Sequence, residues 1–301
     1  MSVKVTNLTK VYGTQRAVDD LSFEIKKGEI VGFLGPNGAG KSTTMKILTC
    51  FIPQTSGTAE VCGFDTATQP LEVTRKIGYL PESNPLYHDM YVREYLEFMA
   101  GLQKLGKLTK SRIDEMIEVT GLTQERKKKI GQLSKGYKQR VGIAQALLHD
   151  PEVLILDEHT SGLDPNQLVE IRALVKKLGE SKTVIFSSHI LPEVEAIADR
   201  VIMIRKGKKV ADASLQDVLS AKNGERSVVA EFGSTIDKAT LEAIKGIKRL
   251  EGAGGKWKFV TEANRDIRSE VFNLAKEKGI TLLGLQKEEL NLEDVFRELT
   301  K

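Results

Sequence analysis

The sequence offers little that would tie it to an oxidising compartment or to the interior of a membrane. Among its 301 residues there are two cysteines, Cys50 and Cys62, with neither a C-x-x-C step nor a metal-ligand spacing. That spacing offers no zinc module and suits a reducing compartment, in which a structural disulfide is not expected. Nowhere do 18 apolar residues run together, so no segment spans a bilayer as a helix. The opening stretch "MSVKVTNLTKVYG" lacks a basic segment followed by an apolar core, and no secretory signal is expected. Charge of one sign is lacking too: 45 basic against 41 acidic side chains leave +4, too diluted to argue for nucleic acid. A charge run such as "ERKKKI", Glu125 to Ile130, reads as a solvated face. What is present is 40% hydrophobic and 29% charged residues, the balance of a globular chain long enough for one large domain and a smaller one.

Patterning divides the chain into three regions. From Val3 to about Pro85, short β-rich runs alternate with turns and one clear helix. Within it "EIVGFLGPNGAGKSTTMKIL" reads as a strand over Ile30 to Leu34, a glycine-rich loop and a helix from Lys41, which is a βα unit of a parallel sheet. From about Leu86 to Gln132 the chain reads as helical throughout. Val92, Tyr95, Leu96 and Met99 fall on one helical face, as do Ile113, Met116, Ile117 and Thr120. With the helical run that follows, this makes a helical insertion over about 86–150. From Pro151, "EVLILD" and "TVIFSS" are buried-strand runs of parallel type, so the sheet resumes after the insertion. The texture changes near Ser220, where "SAKNGERS" marks a polar boundary between domains over 1–219 and 220–301. Beyond it the order is strand "SVVAEF", helix "DKATLEAIKG", strands "IKRLEG" and "KWKFVT", helix "DIRSEVFNLAKEKG" and strand "ITLLGL". That β-α-β-β-α-β order predicts a small ferredoxin-like α+β domain, closed by a last helix in "LEDVFRELT".

The chemistry begins with "GPNGAGKST": Gly35, Pro36, Asn37, Gly38, Ala39, Gly40, Lys41, Ser42 and Thr43 fit G-x-x-x-x-G-K-[ST] between a strand and a helix. Backbone N–H groups of such a loop wrap phosphate oxygens, and the helix N-terminus adds its positive dipole end. Lys41 is expected on the β and γ phosphates, and Ser42 on Mg²⁺.

Downstream, "LSKGYKQR" (Leu133 to Arg140), "LILDE" and "SGLDP" follow in the order found in ATP-binding-cassette proteins, and the chain resembles that family over roughly Val3 to Asp212. The resemblance implies an α/β P-loop ATPase core with an antiparallel β subdomain and a helical subdomain. It further implies that Ser134 and Gly136 of one subunit close over the γ-phosphate held by another. Tyr12 matches the aromatic that stacks on adenine. Glu82, in "IGYLPE", stands in the loop that touches both Mg²⁺ and the membrane partner, where the family has glutamine. Asp157 resembles the Mg²⁺ carboxylate, Glu158 the catalytic base and His189 the switch histidine that contacts the γ-phosphate. Asp164, in "SGLDP", belongs to a loop that meets the opposite subunit.

Three further departures stand out. Lys135 and Tyr137 replace the family's glycine and glutamine; Lys135 either adds a cation near the phosphates or faces solvent. His159 replaces proline, either as a structural substitution in a tight turn or as a titrating neighbour of Glu158. The motif set, the C-terminal extension and "LEDVFREL" resemble ATPase subunits of bacterial ABC-2 exporters. More narrowly, "GYLPESNPLYHDMYVREYL" and "DPNQLVEIR" resemble the gliding-motility-associated ATPase of that group. The resemblance implies ATP and Mg²⁺, a second cassette head-to-tail, integral-membrane permease subunits, the cytoplasmic face of a bacterial inner membrane, and no nucleic acid. The alternative is a soluble cassette ATPase acting on ribosomes or DNA, but one P-loop, one signature and no sustained heptads favour the transporter.

Overall fold

The computed structural model describes residues 1–215, 225–262 and 265–288. The chain divides into two compact units, Met1–Ser214 and Leu215–Lys301.

The first unit holds two sheets. Strands β1 (Val3–Tyr12), β2 (Gln15–Ile25), β4 (Ser56–Val61) and β5 (Phe64–Asp65) form an antiparallel sheet in the order β2-β1-β4-β5. Its opening hairpin turns at Gly13 with Tyr12 opposite Gln15. The second sheet takes β3 (Ile30–Leu34), β6 (Ile77–Leu80), β7 (Val153–Asp157), β8 (Thr183–Ser188), β9 (Arg200–Arg205) and β10 (Lys208–Ser214) in the order β10-β9-β3-β8-β7-β6. Its pairings are parallel except for the edge strand β10. Every residue of β3, β7 and β8 is buried, as the unbroken apolar runs require of strands covered on both faces.

Helices α1 (Lys41–Leu48), α2 (Pro70–Lys76), α3 (Val92–Leu102), α4 (Thr109–Val119), α5 (Lys135–Leu147), α6 (Pro165–Gly179) and α7 (Leu191–Ile197) complete this unit. The helix α2 has no counterpart in the sequence reading: its seven residues bury only Val73, too little for a periodic signal. Conversely, the 86–132 segment is not helical throughout. It holds α3, α4 and two 3₁₀ turns, and its 120–129 stretch is held to the start of α3 by Val92 N–H to Lys128 O at 3.1 Å and Arg93 N–H to Arg126 O at 3.3 Å. The expected stripe holds in α4, where Ile113, Met116 and Ile117 are buried ahead of buried Thr120, while in α3 Ala100 lies deeper than Met99.

In the second unit, β11 (Glu225–Phe232), α8 (Lys238–Glu242), β12 (Ile247–Ala253), β13 (Lys256–Glu262), α9 (Arg268–Glu277) and β14 (Leu282–Glu288) follow the expected β-α-β-β-α-β order. The sheet runs β12-β13-β11-β14, antiparallel at each pairing, which is the ferredoxin-like arrangement. Val228, Phe232, Trp257, Phe259 and Val271 form its separate core. The last helix expected in "LEDVFRELT" lies outside the described residues.

Candidate functional site

Three neighbouring strands of the parallel sheet end at one edge: β3 runs into the glycine-rich loop, β7 ends on Asp157, and β8 ends on Ser187 and Ser188 just before His189. The register places Leu34 beside Ser188 and Asp157 beside Ser187. This is the carboxyl edge, where ligands gather in open α/β sheets.

The loop demands glycine for two distinct reasons. A Cβ on Gly35 would stand 2.3 Å from the carbonyl oxygen of Ile204, whereas Gly40 sits at φ 105° with the carbonyl oxygen of Ala17 only 2.4 Å from the place of a Cβ. Gly40→Ala is accordingly expected to destabilise the fold by about 2 kcal/mol, as a strained backbone and a forced shift of β2 require. A urea denaturation midpoint equal to the wild type's would contradict this.

Gly40 leads into α1, whose first residue, Lys41, is only 5% exposed. Its Nζ donates to the carbonyl oxygens of Gly35 at 2.8 Å and Pro36 at 3.3 Å, and lies 3.2 Å from Glu158 Oε1. The same carboxylate meets His189 Nδ1 through Oε2 at 2.7 Å. Glu158 therefore joins the loop lysine to the histidine of the next strand. Its own backbone is left-handed at φ 47°, held by its N–H donating to Ser187 Oγ at 2.9 Å. Ser187 Oγ in turn donates to Asp157 Oδ1 at 2.5 Å, and Ser42 Oγ donates to the same oxygen at 3.0 Å.

The pairing of Ser42 with Asp157 offers hard oxygen donors. Among the described residues no group of three or more His, Cys, Asp or Glu side chains could hold a metal alone. These two fit Mg²⁺ whose remaining ligands are phosphate and water oxygens, the usual way this ion binds, rather than a protein cage.

A cleft of about 530 Å³ opens over this edge, lined by residues 37–43 of the loop with Tyr12, Gln15, Ala17, Glu82, Glu158, Ser161 and His189. Tyr12 is 48% exposed, so its ring is not a core tyrosine, and Lys10 Nζ lies 5.1 Å from the ring centroid. Exposed Glu82 faces both this cleft and a second space of about 420 Å³ that reaches Ser42, Asp157 and Lys135. Gln15 and Ala17 went unnoticed in the sequence; the hairpin pairing that sets Gln15 opposite Tyr12 was the available signal. Ser187 stood in "TVIFSSHIL", but only the parallel register shows that it serves Asp157 and Glu158.

Other expected residues do not join the cleft. Ser134 is the N-cap of α5, accepting from Tyr137 N–H at 3.4 Å, and Gly136 lies where a Cβ would meet the Gln167 side chain at 2.8 Å. Gln167 Nε2 also donates to Ser134 Oγ at 3.4 Å. Asp164 caps α6 by accepting Gln167 N–H at 2.9 Å, with Pro165 as the first helical residue. Lys135 is exposed, and its side chain leans over Gly162, where its Nζ lies 2.4 Å from the place of a Cβ. It therefore runs along its own "SGLDP" loop. His159 is fully buried against Phe186, with ring centroids 5.7 Å apart. Burial pushes its pKa down to about 4, so the imidazole is neutral near pH 7 and the structural reading of this position is favoured.

A family model described as "ABC transporter" matches residues 18–161. The bacitracin transport ATP-binding protein BcrA of Bacillus licheniformis is 46% identical over 309 residues, spanning 99% of this chain and 96% of that protein. The linearmycin resistance ATP-binding protein LnrL of Bacillus subtilis is 35% identical over 313 residues, spanning 99% and 98%. Among solved structures, a dimeric post-hydrolysis state of the ATP-binding cassette MJ0796 bound to ADP and Pi superposes with a TM-score of 0.64 at 29% identity, covering 71% of this chain and 98% of that one. With a P-loop, the carboxylates of Asp157 and Glu158 and the imidazole of His189 at one sheet edge, and relatives matched over nearly their whole length, the chain belongs to the ABC transporter family as an ATP-binding subunit, an ATPase that works with ATP and Mg²⁺.

Proposed function

We propose that the chain powers an exporter of antibiotic-like compounds of the ABC-2 type, docked on the cytoplasmic face of a bacterial membrane against separate permease subunits. The observation that carries this reading is the near full-length match to proteins named for bacitracin transport and linearmycin resistance, which includes the C-terminal unit. It is on these relatives, rather than on the gliding-motility resemblance, that the proposal rests. No described helix is long and apolar enough to cross a membrane, so the path for cargo has to come from another chain. Beside the Glu82 loop, an apolar groove of about 380 Å³ lined by Phe51, Tyr79, Leu80, Pro81 and Pro85 offers that partner a seat.

In this reading residues 1–219 are the ATP-binding domain, with its helical subdomain over about 86–150, and residues 220–301 are an accessory domain. Tyr12 stacks on adenine, and the N–H groups of residues 35–43 wrap the phosphates. Lys41 leaves its loop carbonyls for the β and γ phosphates. Ser42 and Asp157 hold Mg²⁺, which when bound neutralises phosphate charge, and Glu82 lies alongside. Glu158 orients the attacking water and accepts its proton, while His189 contacts the γ-phosphate. Ser134 and Gly136 lie outside their own cleft, so a second cassette supplies that wall head-to-tail, with Asp164 at the shared face. The dimeric states of MJ0796 support this arrangement.

Purification from native membranes, followed by identification of co-purifying chains, tests the reading. Integral-membrane subunits are expected, together with increased sensitivity to bacitracin or linearmycin when the gene is deleted. Ribosomal or DNA-bound partners alone would overturn it in favour of a soluble cassette ATPase. Within the site, Ser187→Ala is expected to lower turnover about tenfold with little change in KM, because it frees Asp157 and leaves the Glu158 N–H unpaired. Steady-state phosphate release decides this.

A further inference from the structure

Beneath the catalytic edge lies a sealed polar cluster that the chemistry above does not use. Glu193, on α7, is 1% exposed, and its carboxyl accepts from Ser188 Oγ at 2.5 Å, with the buried Thr160 side chain as a further polar neighbour. Ser188 directly precedes His189, and Thr160 follows Glu158 by two residues. Between them His159 turns its ring inward, with Nε2 at 4.0 Å from Glu193 Oε1. Both ring nitrogens and that Oε1 have no hydrogen-bond partner, although His159 is fully buried. Buried polar atoms are nearly always paired, and an unpaired set in a native fold calls for an explanation. Approach by about 1 Å would make the imidazole–carboxyl contact a hydrogen bond.

The cluster is also anchored from outside. Gln139 Nε2, on α5, donates to the His159 carbonyl at 2.9 Å. Asn84, two residues beyond Glu82, donates to Gln139 Oε1 at 2.8 Å and to the Lys138 carbonyl at 2.9 Å. A continuous chain of contacts thus runs from the Glu82 loop, through the signature helix, to the loops that carry Glu158 and His189.

We propose that Glu193 and His159 clasp the loop of the catalytic base to the loop of the switch histidine, acting as positioning residues for Glu158 and His189, with Gln139 and Asn84 bracing the clasp against the Glu82 loop. The inference rests on Glu158 being the base. Proline at position 159 has no side-chain polar atom for such a contact, so the substitution of histidine adds a link that the usual loop lacks. The clasp works by hydrogen bonding and shape alone. Its role is to keep the Glu158 Oε2 to His189 Nδ1 distance short through the cycle.

The test measures steady-state ATPase activity, affinity for a fluorescent ATP analogue and thermal melting of the full-length protein. Glu193→Leu and His159→Leu are expected to lower kcat about tenfold, with KM and analogue affinity within twofold of wild type. The polar variants Glu193→Gln and His159→Asn are expected to recover kcat to within about threefold, and the double leucine variant to fall no further than either single one, as residues acting as one unit do. Leucine variants with unchanged kcat, polar variants that fall as far as leucine, or additive losses would each overturn the proposal. If the leucine variants melt too early for assay, Ser188→Ala decides: it removes one hydroxyl from Glu193, and an unchanged kcat overturns the clasp whereas a selective kcat loss supports it. A normal rate in Glu158→Gln overturns the base assignment instead, so the two failures are distinguishable.

Discussion

Glu158→Gln is expected to lower ATP turnover by about three orders of magnitude while leaving nucleotide binding nearly unchanged. The substitution keeps the shape of the side chain and removes the charge that receives a proton from water. Binding is expected to be spared, because in the proposed arrangement residues 35–43 hold the phosphates and the substitution leaves them intact. The loss falls on kcat, since Glu158 is held between Lys41 at 3.2 Å and His189 at 2.7 Å, and an amide can satisfy neither contact as a carboxylate does. With hydrolysis stopped, ATP holds the paired cassettes together, so a dimer peak should accumulate in size-exclusion chromatography with ATP and vanish without it. Phosphate release measured beside equilibrium binding separates the two effects. Turnover at the wild-type rate would remove Glu158 from the role of base.

Lys41→Ala should act at the opposite step, weakening ATP affinity by about a hundredfold, the worth of a charge-assisted contact to phosphate made by a buried ammonium. The side chain is 5% exposed and already satisfied by Gly35, Pro36 and Glu158, so its removal also leaves Glu158 without its cation. Arginine is no substitute here, because a planar fork does not fit a space shaped for a single ammonium. Isothermal calorimetry with Mg-ATP measures the effect. Affinity within threefold of wild type would mean that the backbone amides alone carry the phosphates.

The P-loop was legible because its glycines act through local backbone geometry and its lysine and serine stand at fixed places beside them, so a nine-residue string carries the motif whole. Asp157 ends one apolar strand and His189 follows another, but their roles were legible only through the family resemblance, since a lone histidine after a strand otherwise reads as structural. In the C-terminal unit, strand runs such as "KWKFVT" answer to elements such as Lys256–Glu262, and the order of elements was enough to anticipate the sheet. Helix α2 was lost because one buried residue makes no period. Two residues that hold the site together were missed for a different reason. Gln139 lies 20 positions from the His159 carbonyl it holds and 55 from its partner Asn84, and Ser187 lies 30 from Asp157. Such pairings depend on strand order and register, which single-sequence patterning does not encode. His159 illustrates the limit: the sequence exposed it as an anomaly, and only its burial decided between a titrating neighbour and a neutral one.

The order β3-β8-β7 has a consequence for synthesis on the ribosome. The glycine-rich loop emerges early, yet its strand is separated from that of Asp157 by β8, whose residues are translated later than either. A nascent chain that has not yet extruded Ser188 lacks the strand that seats the two halves side by side, and its loop and carboxylates cannot share one nucleotide. Long-range parallel pairing of this kind is slow and exposes apolar strands while it waits. A nucleotide bridging the glycine-rich loop and the carboxylates is therefore closed to such a chain, and the apolar strands on either side stay unpaired until the middle one arrives.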